Sequence, residues 1–506
     1  MSERGSREGQ GIMTFLLAIF LMVVVASGQA LGADGPVSDD SSTCIECHGT
    51  LDPGIVSAWK KSRMSMVTPG AANSVPAKER RVSFEKVPGN LADVVVGCAE
   101  CHTLNAEKHK DSFEHNGYKV HVVVTPQDCA TCHPVEVKQF GKNLMSEAYG
   151  NLENNPVYRS LVKSITAIQS FDGKDTVLED ADDLTLSDAC RQCHGTVVAV
   201  SGFATRETDQ GEMSFPVLTG WPNQGVGRIN PDGSKGACSA CHTRHQFAIE
   251  MARKPYTCSQ CHEGPDVPAF KVYEVSKHGN IYSALGHSWN YDHVPWNIGK
   301  DITAPTCATC HMSLVSGDGE IVVERTHQMN DRLPWRIFGP IYAHPHAKSP
   351  DTSIIKNKAG LPLPTELTGE PASEYLISAE EQTERKTTMQ KVCLSCHTRA
   401  WVVGHFERFE NTIKSTNEMT LAATKVLLSA WKNGAASQKD GLFNEAIEKR
   451  WVEQWLFYAN STRFSSAMAG ADYGVFANGR WYMAKNVREM VDWLKARLNA
   501  KMTPNK

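Results

Sequence analysis

Sixteen cysteines and nineteen histidines carry most of the chemistry this 506-residue chain can offer, and their spacing links them. Every cysteine lies in a Cys-x-x-Cys-His string, and eight such strings leave no cysteine over. They are Cys44-Cys47-His48, Cys98-Cys101-His102, Cys129-Cys132-His133, Cys190-Cys193-His194, Cys238-Cys241-His242, Cys258-Cys261-His262, Cys307-Cys310-His311 and Cys393-Cys396-His397. A free catalytic thiol is excluded, because no cysteine stands outside a string. A disulfide framework gives no reason for a histidine after every second cysteine. Structural zinc needs four ligands from paired half-sites, and the repeated histidine would then be incidental. Covalent haem attachment uses every member: two thioether bonds from the cysteines, with the histidine as proximal iron ligand. The expectation is eight c-type haems.

Eight histidines are thereby used, and His109, His115, His121, His245, His278, His287, His293, His327, His344, His346 and His405 remain. A haem that only carries electrons is closed by a second axial ligand, whereas one that does chemistry keeps a face open. Seven closed haems and one open haem would take seven of these eleven and leave four for a pocket or the surface. The same supply also permits eight closed haems.

The elements that must position these groups are short. Between the motifs the chain is polar and rich in Gly and Pro, as from Trp221 to Gly236, which predicts loops and short helices wrapped around cofactors. The densest stretch runs from Cys238 to Cys261, where adjacent haems should nearly touch. Beyond His397 the pattern changes. Residues 407–464 show helical spacing, with Leu421, Val426, Leu427, Trp431, Ala446, Trp451, Trp455 and Tyr458. A second helix is expected after Asn478-Gly479, with Val487, Met490, Val491, Leu494 and Leu498 on one face. Core packing and subunit contact explain these stripes equally well. Strand signals are sparse, confined to short runs such as 119–124 and 321–324. The expected fold is mainly α with extensive irregular loops: a haem-binding core over 34–400 and a helical C-terminal domain over 401–506.

The N-terminus has Arg4 and Arg7, an apolar run from Ile12 to Ala26, and then the small residues Ser27 to Ala30. That describes a secretory signal peptide over 1–33. A membrane anchor would need about twenty apolar residues, and this run is shorter. The mature chain is expected to be exported to a periplasm or its equivalent, with no transmembrane segment. A hydrophobic content of 41%, a charged content of 21% and a net charge of −4 describe a chain able to bury a core. The absence of a basic excess gives no pointer to nucleic acid.

Eight motifs followed by a helical C-terminal region resemble the octahaem hydroxylamine oxidoreductase family. So do Gly220-Trp-Pro-Asn-Gln-Gly-Val-Gly-Arg-Ile-Asn-Pro-Asp-Gly, Cys238-Ser-Ala-Cys-His-Thr-Arg-His, Ser276-Lys-His-Gly and Ala304-Pro-Thr-Cys-Ala-Thr-Cys-His-Met. The resemblance covers nearly the whole mature chain. It implies that the fourth haem, on Cys190, Cys193 and His194, is open and catalytic while the other seven relay electrons. It implies a homotrimer, and it places His245 and His278 as distal ligands. His121, His287, His327 and His405 are the next candidates, followed by His115, with His293 its rival.

Two departures bear on the direction of the chemistry. Members that oxidise hydroxylamine or hydrazine resemble one another in an Asp-His pair after the sixth motif, where this chain has Asp266-Val267. They also carry a C-terminal tyrosine bonded to the catalytic haem of the next subunit, usually within Asp-Tyr-x-x-Trp-His-Gly. Here Asp472-Tyr473-Gly-Val-Phe476-Ala477 replaces Trp-His by Phe-Ala, so Tyr473 is expected to be an unmodified core residue. Oxidation of hydroxylamine releases protons with its electrons and needs a base within reach. Valine in place of histidine removes the group titrating nearest neutral pH. The expectation is therefore a reductase of nitrite or nitric oxide, yielding hydroxylamine or ammonium. Asp266 and Tyr342 would attend the substrate, and electrons would come from a redox partner protein or quinol-linked cytochrome. The reverse reaction, oxidation of hydroxylamine or hydrazine with Tyr473 cross-linked to the catalytic haem, is the first alternative. A pure electron-transfer cytochrome is the second.

Overall fold

The computed structural model describes residues 35–502 except 87, 209 and 440. The expected signal peptide over 1–33 lies outside the described residues.

The chain is mainly helical, and its elements are short wherever the motifs lie. The first motif sits in the helix Asp39–Leu51, capped by the Ser38 side chain, which accepts from the Ser41 N–H. The fourth and seventh motifs are the five-residue helices Cys190–His194 and Cys307–His311. The eighth begins at the end of the helix Ala379–Leu394.

Small antiparallel hairpins interrupt the helices. Phe113–His115 pairs with Tyr118–Val120, and Glu320–Val323 joins a three-stranded sheet with Val315–Gly317 and Trp296–Asn297. The largest hairpin, Ala199–Thr208 with Gly211–Thr219, follows the fourth motif directly and was not expected. Both of its strands are largely exposed, so the sequence carries no apolar alternation that a buried face would impose. The exposed pair Ile168–Phe171 and Thr176–Glu179 escaped the pattern for the same reason.

Past the last motif the helix Arg399–Lys432 runs for 34 residues and buries Val402, Phe406, Phe409, Ile413, Ala423, Leu427 and Ala430. The expected single stretch over 407–464 is broken after Lys432. Asn433 closes the helix and Gly434 takes a left-handed φ of 63°, a conformation that favours glycine. Helical structure resumes at Ala446–Val452, passes through a wider turn at Glu453–Tyr458 and continues in Ala459–Met468. The helix Arg480–Met502 packs its Met490 into the same core as Leu427, Ile447, Trp451 and Trp455. A second cluster, formed by Val272, Ile337, Ala343, Phe409, Ile413 and Phe464, joins this helical region to the loop after the sixth motif. No helix among the described residues is long and apolar enough to cross a membrane.

Candidate haem sites

Each motif is a single tight turn. The histidine N–H donates to the carbonyl of the first cysteine in five of them, at 2.8–3.0 Å: Cys98–His102, Cys129–His133, Cys238–His242, Cys258–His262 and Cys393–His397. Residues at i, i+3 and i+4 then share one face, so both thiols and the imidazole meet one ligand from the same side. The Nδ1–H of His102 donates to the carbonyl of His121 at 2.8 Å, and that of His194 to Ala148 at 3.0 Å. His48 Nδ1 lies 2.8 Å from Asp52. A ring held through Nδ1 presents Nε2 to a metal, the usual arrangement around an iron-bound imidazole.

The fourth motif has a cradle of its own. Asn223 donates to the carbonyl of Arg191 at 3.1 Å, and the Val226 N–H donates to Cys193 at 3.0 Å. A Cβ on Gly227 would lie 2.7 Å from the carbonyl oxygen of His194, so only glycine lets the loop pass this close. Gly195, at φ 95°, meets Arg228 from the other side. Buried Arg228 holds the loop by donating to Asn230 at 2.7 Å and to the Asn223 carbonyl at 2.9 Å. The Gly-rich Trp221–Gly227 stretch is thus the wall behind His194.

The thiols reveal how the motifs neighbour one another. Cys129 lies beside Cys238, Cys258 beside Cys307 and Cys193 beside Cys261. Burial is the largest cause of the raised pKa values of Cys98, Cys101, Cys241 and Cys310. A thiol of the next motif adds to each, respectively Cys44, Cys132, Cys258 and Cys393. The order is one row through motifs one, two, three, five, six, seven and eight. The fourth motif stands beside that row and meets it at the sixth.

Asp266 lies at this junction. Its charge acts on the thiols of Cys190 and Cys193 and on the imidazole of His262. Its carboxylate is exposed, and its backbone carbonyl accepts from Asn460 at 2.7 Å. The neighbouring Val267 packs against the second cluster, and so does half-buried Tyr473. Tyr342 is placed elsewhere. It is fully buried in the C-terminal core, and its hydroxyl bonds to the Leu367 carbonyl at 2.9 Å and to Thr424 at 3.1 Å. Those two bonds engage the hydroxyl within the C-terminal core.

Among the remaining histidines, several face a motif histidine across a gap. Ring centroids are 6.1 Å apart for His48 and His115, 6.5 Å for His102 and His245, 6.5 Å for His242 and His327, and 6.1 Å for His278 and His397. Two metal–nitrogen bonds of about 2 Å, with about 1 Å from each nitrogen to its ring centre, would space two imidazoles on one iron by about 6 Å. His121 also lies 6.0 Å from His102, but it stacks on His109 at 3.5 Å and turns Nε2 towards Asp128 at 3.8 Å. His405 donates Nε2 to the Ala467 carbonyl at 3.1 Å, and His287 is exposed. His293 is held through Nδ1 by buried Asp301 at 2.6 Å. His133, His194, His262 and His311 face no second imidazole at such spacing among the described residues.

Sequence reading left His344 and His346 among the spare histidines. Both are buried, and Nε2 of His344 and both nitrogens of His346 lack any partner. Nδ1 of His115 and of His327 are likewise unpaired. A buried imidazole nitrogen without a partner is costly, and an axial bond to iron accounts for it. Nothing local in the sequence marks these two residues, because their isolation arises only from tertiary burial. The residues present therefore fit haem.

Comparison with known proteins agrees. Residues 229–337 match the family profile described as seven times multi-haem cytochrome CxxCH, and residues 128–214 match cytochrome c554 and c-prime. A solved structure titled hypothetical multiheme protein is 41% identical, with a TM-score of 0.87, over 96% of this chain and 99% of that one. A chain of the Kuenenia stuttgartiensis reducing HAO-like protein complex Kustc0457/Kustc0458 shares the fold, at TM-score 0.59 and 17% identity, over 92% of this chain and 86% of that one. A curated relative from Kuenenia stuttgartiensis, described as a probable nitrite reductase-hydroxylamine oxidoreductase fusion protein, is 26% identical over 372 residues. That match covers 70% of this chain but about a third of the relative's length, 34%. The chain belongs to the multihaem cytochromes c.

Proposed function

We propose that the protein is an exported octahaem oxidoreductase of small nitrogen compounds, working as a reductase of nitrite or nitric oxide at the motif of His194. The supporting observation is the side position of that motif, which lies beside the row with Cys193 next to Gln260 and Cys261 of the sixth motif. A centre within the row must pass electrons onward. One beside it can keep them for a substrate.

Haem at this motif would supply the electrons and a coordination position for the substrate nitrogen. His194 holds the proximal side, oriented by Ala148. Asp266 would hold a proton-bearing water or the substrate itself beside that position, and the wall from Trp221 to Gly227 fixes the ring behind it. Val267 contributes no base, which favours delivery of electrons over their withdrawal. Of the other seven motifs, those of His48, His102, His242 and His397 would be closed by His115, His245, His327 and His278, and those of His133, His262 and His311 would take second imidazoles from the remaining histidines, buried His344 and His346 among them. Assembly as a homotrimer, residence in the periplasm and the division at about residue 400 belong to the same proposal.

The test is nitrite consumption by the purified holoprotein with reduced viologen, beside hydroxylamine-driven reduction of its own haems. Rapid nitrite consumption with slow hydroxylamine oxidation is expected. Faster hydroxylamine oxidation would reverse the direction. Inactivity both ways with wholly low-spin haem would make the protein a carrier.

A further inference from the structure

The row of motifs has two exposed ends, and they differ in charge and in surface chemistry. Around the first motif, residues 38–52 carry Asp39, Asp40, Glu46 and Asp52 and no lysine or arginine. Around the eighth, residues 384–408 carry Arg385, Lys386, Lys391, Arg399 and Arg408 against Glu384 and Glu407, so cations are in excess there. Arg385 and Lys386 are paired with Glu381 and Glu410. Lys391 and Arg399 are exposed and form no ion pair among the described residues.

Apolar surface is exposed near these two cations at Leu394 and Trp401, which are 41% and 39% exposed. Trp401 is distinctive within it. Its indole stacks on the ring of His397 with centroids 4.0 Å apart and planes 16° apart, while its other face stacks on His405 at 5.1 Å and 3°. The Thr398 cap sets this ladder, since its side chain accepts the Trp401 N–H and starts the helix on which Trp401 and His405 lie. One ring is therefore in van der Waals contact with the proximal imidazole of the terminal motif and also open to solvent. Electron tunnelling weakens steeply with each ångström of gap, so such a ring shortens the path from the surface to that imidazole.

We infer that Trp401 is the electron port of the protein, and that the surface around it docks an acidic one-electron carrier protein through Lys391 and Arg399. An apolar contact ringed by cations suits an acid-rimmed partner, whose approach the cations accelerate. A haem held at His397 would take up the one electron that the reduced carrier loses. No atom or proton moves with it. The inference rests on haem attachment at Cys393 and Cys396 and does not depend on which nitrogen compound is reduced.

The probe is reduced plant-type ferredoxin, an acidic one-electron donor, mixed with oxidised holoprotein in a stopped-flow instrument. Reduced methyl viologen is the small donor that needs no docking. For ferredoxin, the wild-type rate should fall as salt rises. Trp401→Leu should slow it at least about tenfold, and Trp401→Phe should keep most of it. The double variant Lys391→Glu/Arg399→Glu should slow it by about tenfold or more and flatten its salt dependence, within the range of electrostatic steering. Binding of oxidised ferredoxin to the immobilised holoprotein should weaken in that double variant and not in Trp401→Leu. Viologen rates and haem content should not change. Wild-type ferredoxin rates in Trp401→Leu and in the double variant would overturn the inference. A loss seen instead in Asp39→Lys/Asp40→Lys would overturn it in favour of the opposite end. If Trp401→Leu fails to load haem, the surface double variant decides alone. Loss of nitrite consumption with normal ferredoxin rates would strike the nitrogen-oxide reading and leave the port standing.

Discussion

Asn460 donates its side-chain amide to the backbone carbonyl of Asp266 at 2.7 Å, although 194 positions separate them in the chain. The same side chain accepts from buried Arg463 through its Oδ1 at 3.3 Å. The helix Ala459–Met468 thus fixes the loop that carries Asp266 to the junction of the fourth and sixth motifs. Asn460→Ala should leave that carbonyl unpaired, at a cost of about 1–3 kcal/mol if water does not replace the amide. Nitrite consumption should fall by tenfold or more while haem content and the ferric spectrum stay unchanged. Asp266→Asn should cause a similar loss of rate with no loss of thermal stability. Equal rates in wild type and both variants would remove Asp266 from the site.

Tyr473 packs beside Val267 in the cluster built on Phe409, Ile413 and Phe464. A tyrosine engaged with its own chain in this way is expected to carry no bond to a neighbouring subunit's haem. Tyr473→Phe should therefore keep the ferrous spectrum and the activity. On a denaturing gel, wild type and variant should both run at the mass of one chain. A wild-type band at a multiple of that mass, lost in the variant, would demonstrate the cross-link.

The parts of this site that sequence exposes are the local ones. Attachment needs only five consecutive residues, so all eight motifs are visible without a structure. The second imidazoles come from distant positions. His245 follows a regular pattern near its own motif, yet it faces His102, and His344 and His346 gave no sign of their burial. The helix break at Asn433-Gly434 is not visible in the apolar spacing, which continues across it, although the same dipeptide marks a boundary at Asn478-Gly479. The Ala199–Thr208 hairpin is not visible either, because exposed strands need no alternating apolar face.

Two histidines compete for the iron held by His102. The Nδ1–H of His102 donates to the carbonyl of His121, which puts the His121 backbone on the side away from Nε2. His245 is 6.5 Å away by ring centroid, and neither ring makes a hydrogen bond among the described residues, but His121 is stacked on His109. His245→Ala should convert one haem of the holoprotein from low to high spin, read by electron paramagnetic resonance. His121→Ala should leave the spin states unchanged. The opposite pair of results would exchange their roles.

His109 is held at both ends by carboxylates, with Nδ1 3.3 Å from Asp111 and Nε2 3.2 Å from Asp128. Burial alone would lower its pKa. The bonds to Asp111 and Asp128 and their charges outweigh burial and raise it to about 9, from 6.5. The carboxylates respond in reverse: burial would raise them, but bonds from His109 and from backbone amides hold both below their ordinary value. A histidine raised in the folded state contributes stability that is fully present below pH 6.5 and is lost as pH rises through about 9. Carboxylates lowered in the folded state contribute stability that is lost only as pH falls below about 4. The network should therefore be strongest between these limits, and raising the pH to 9 should remove about 2–3 kcal/mol. Melting temperatures of the holoprotein between pH 6 and 9.5 measure this. Wild type should lose stability across that range, whereas His109→Gln should start lower and stay nearly flat. A variant whose melting temperature falls in parallel with wild type would mean that another group governs the alkaline loss.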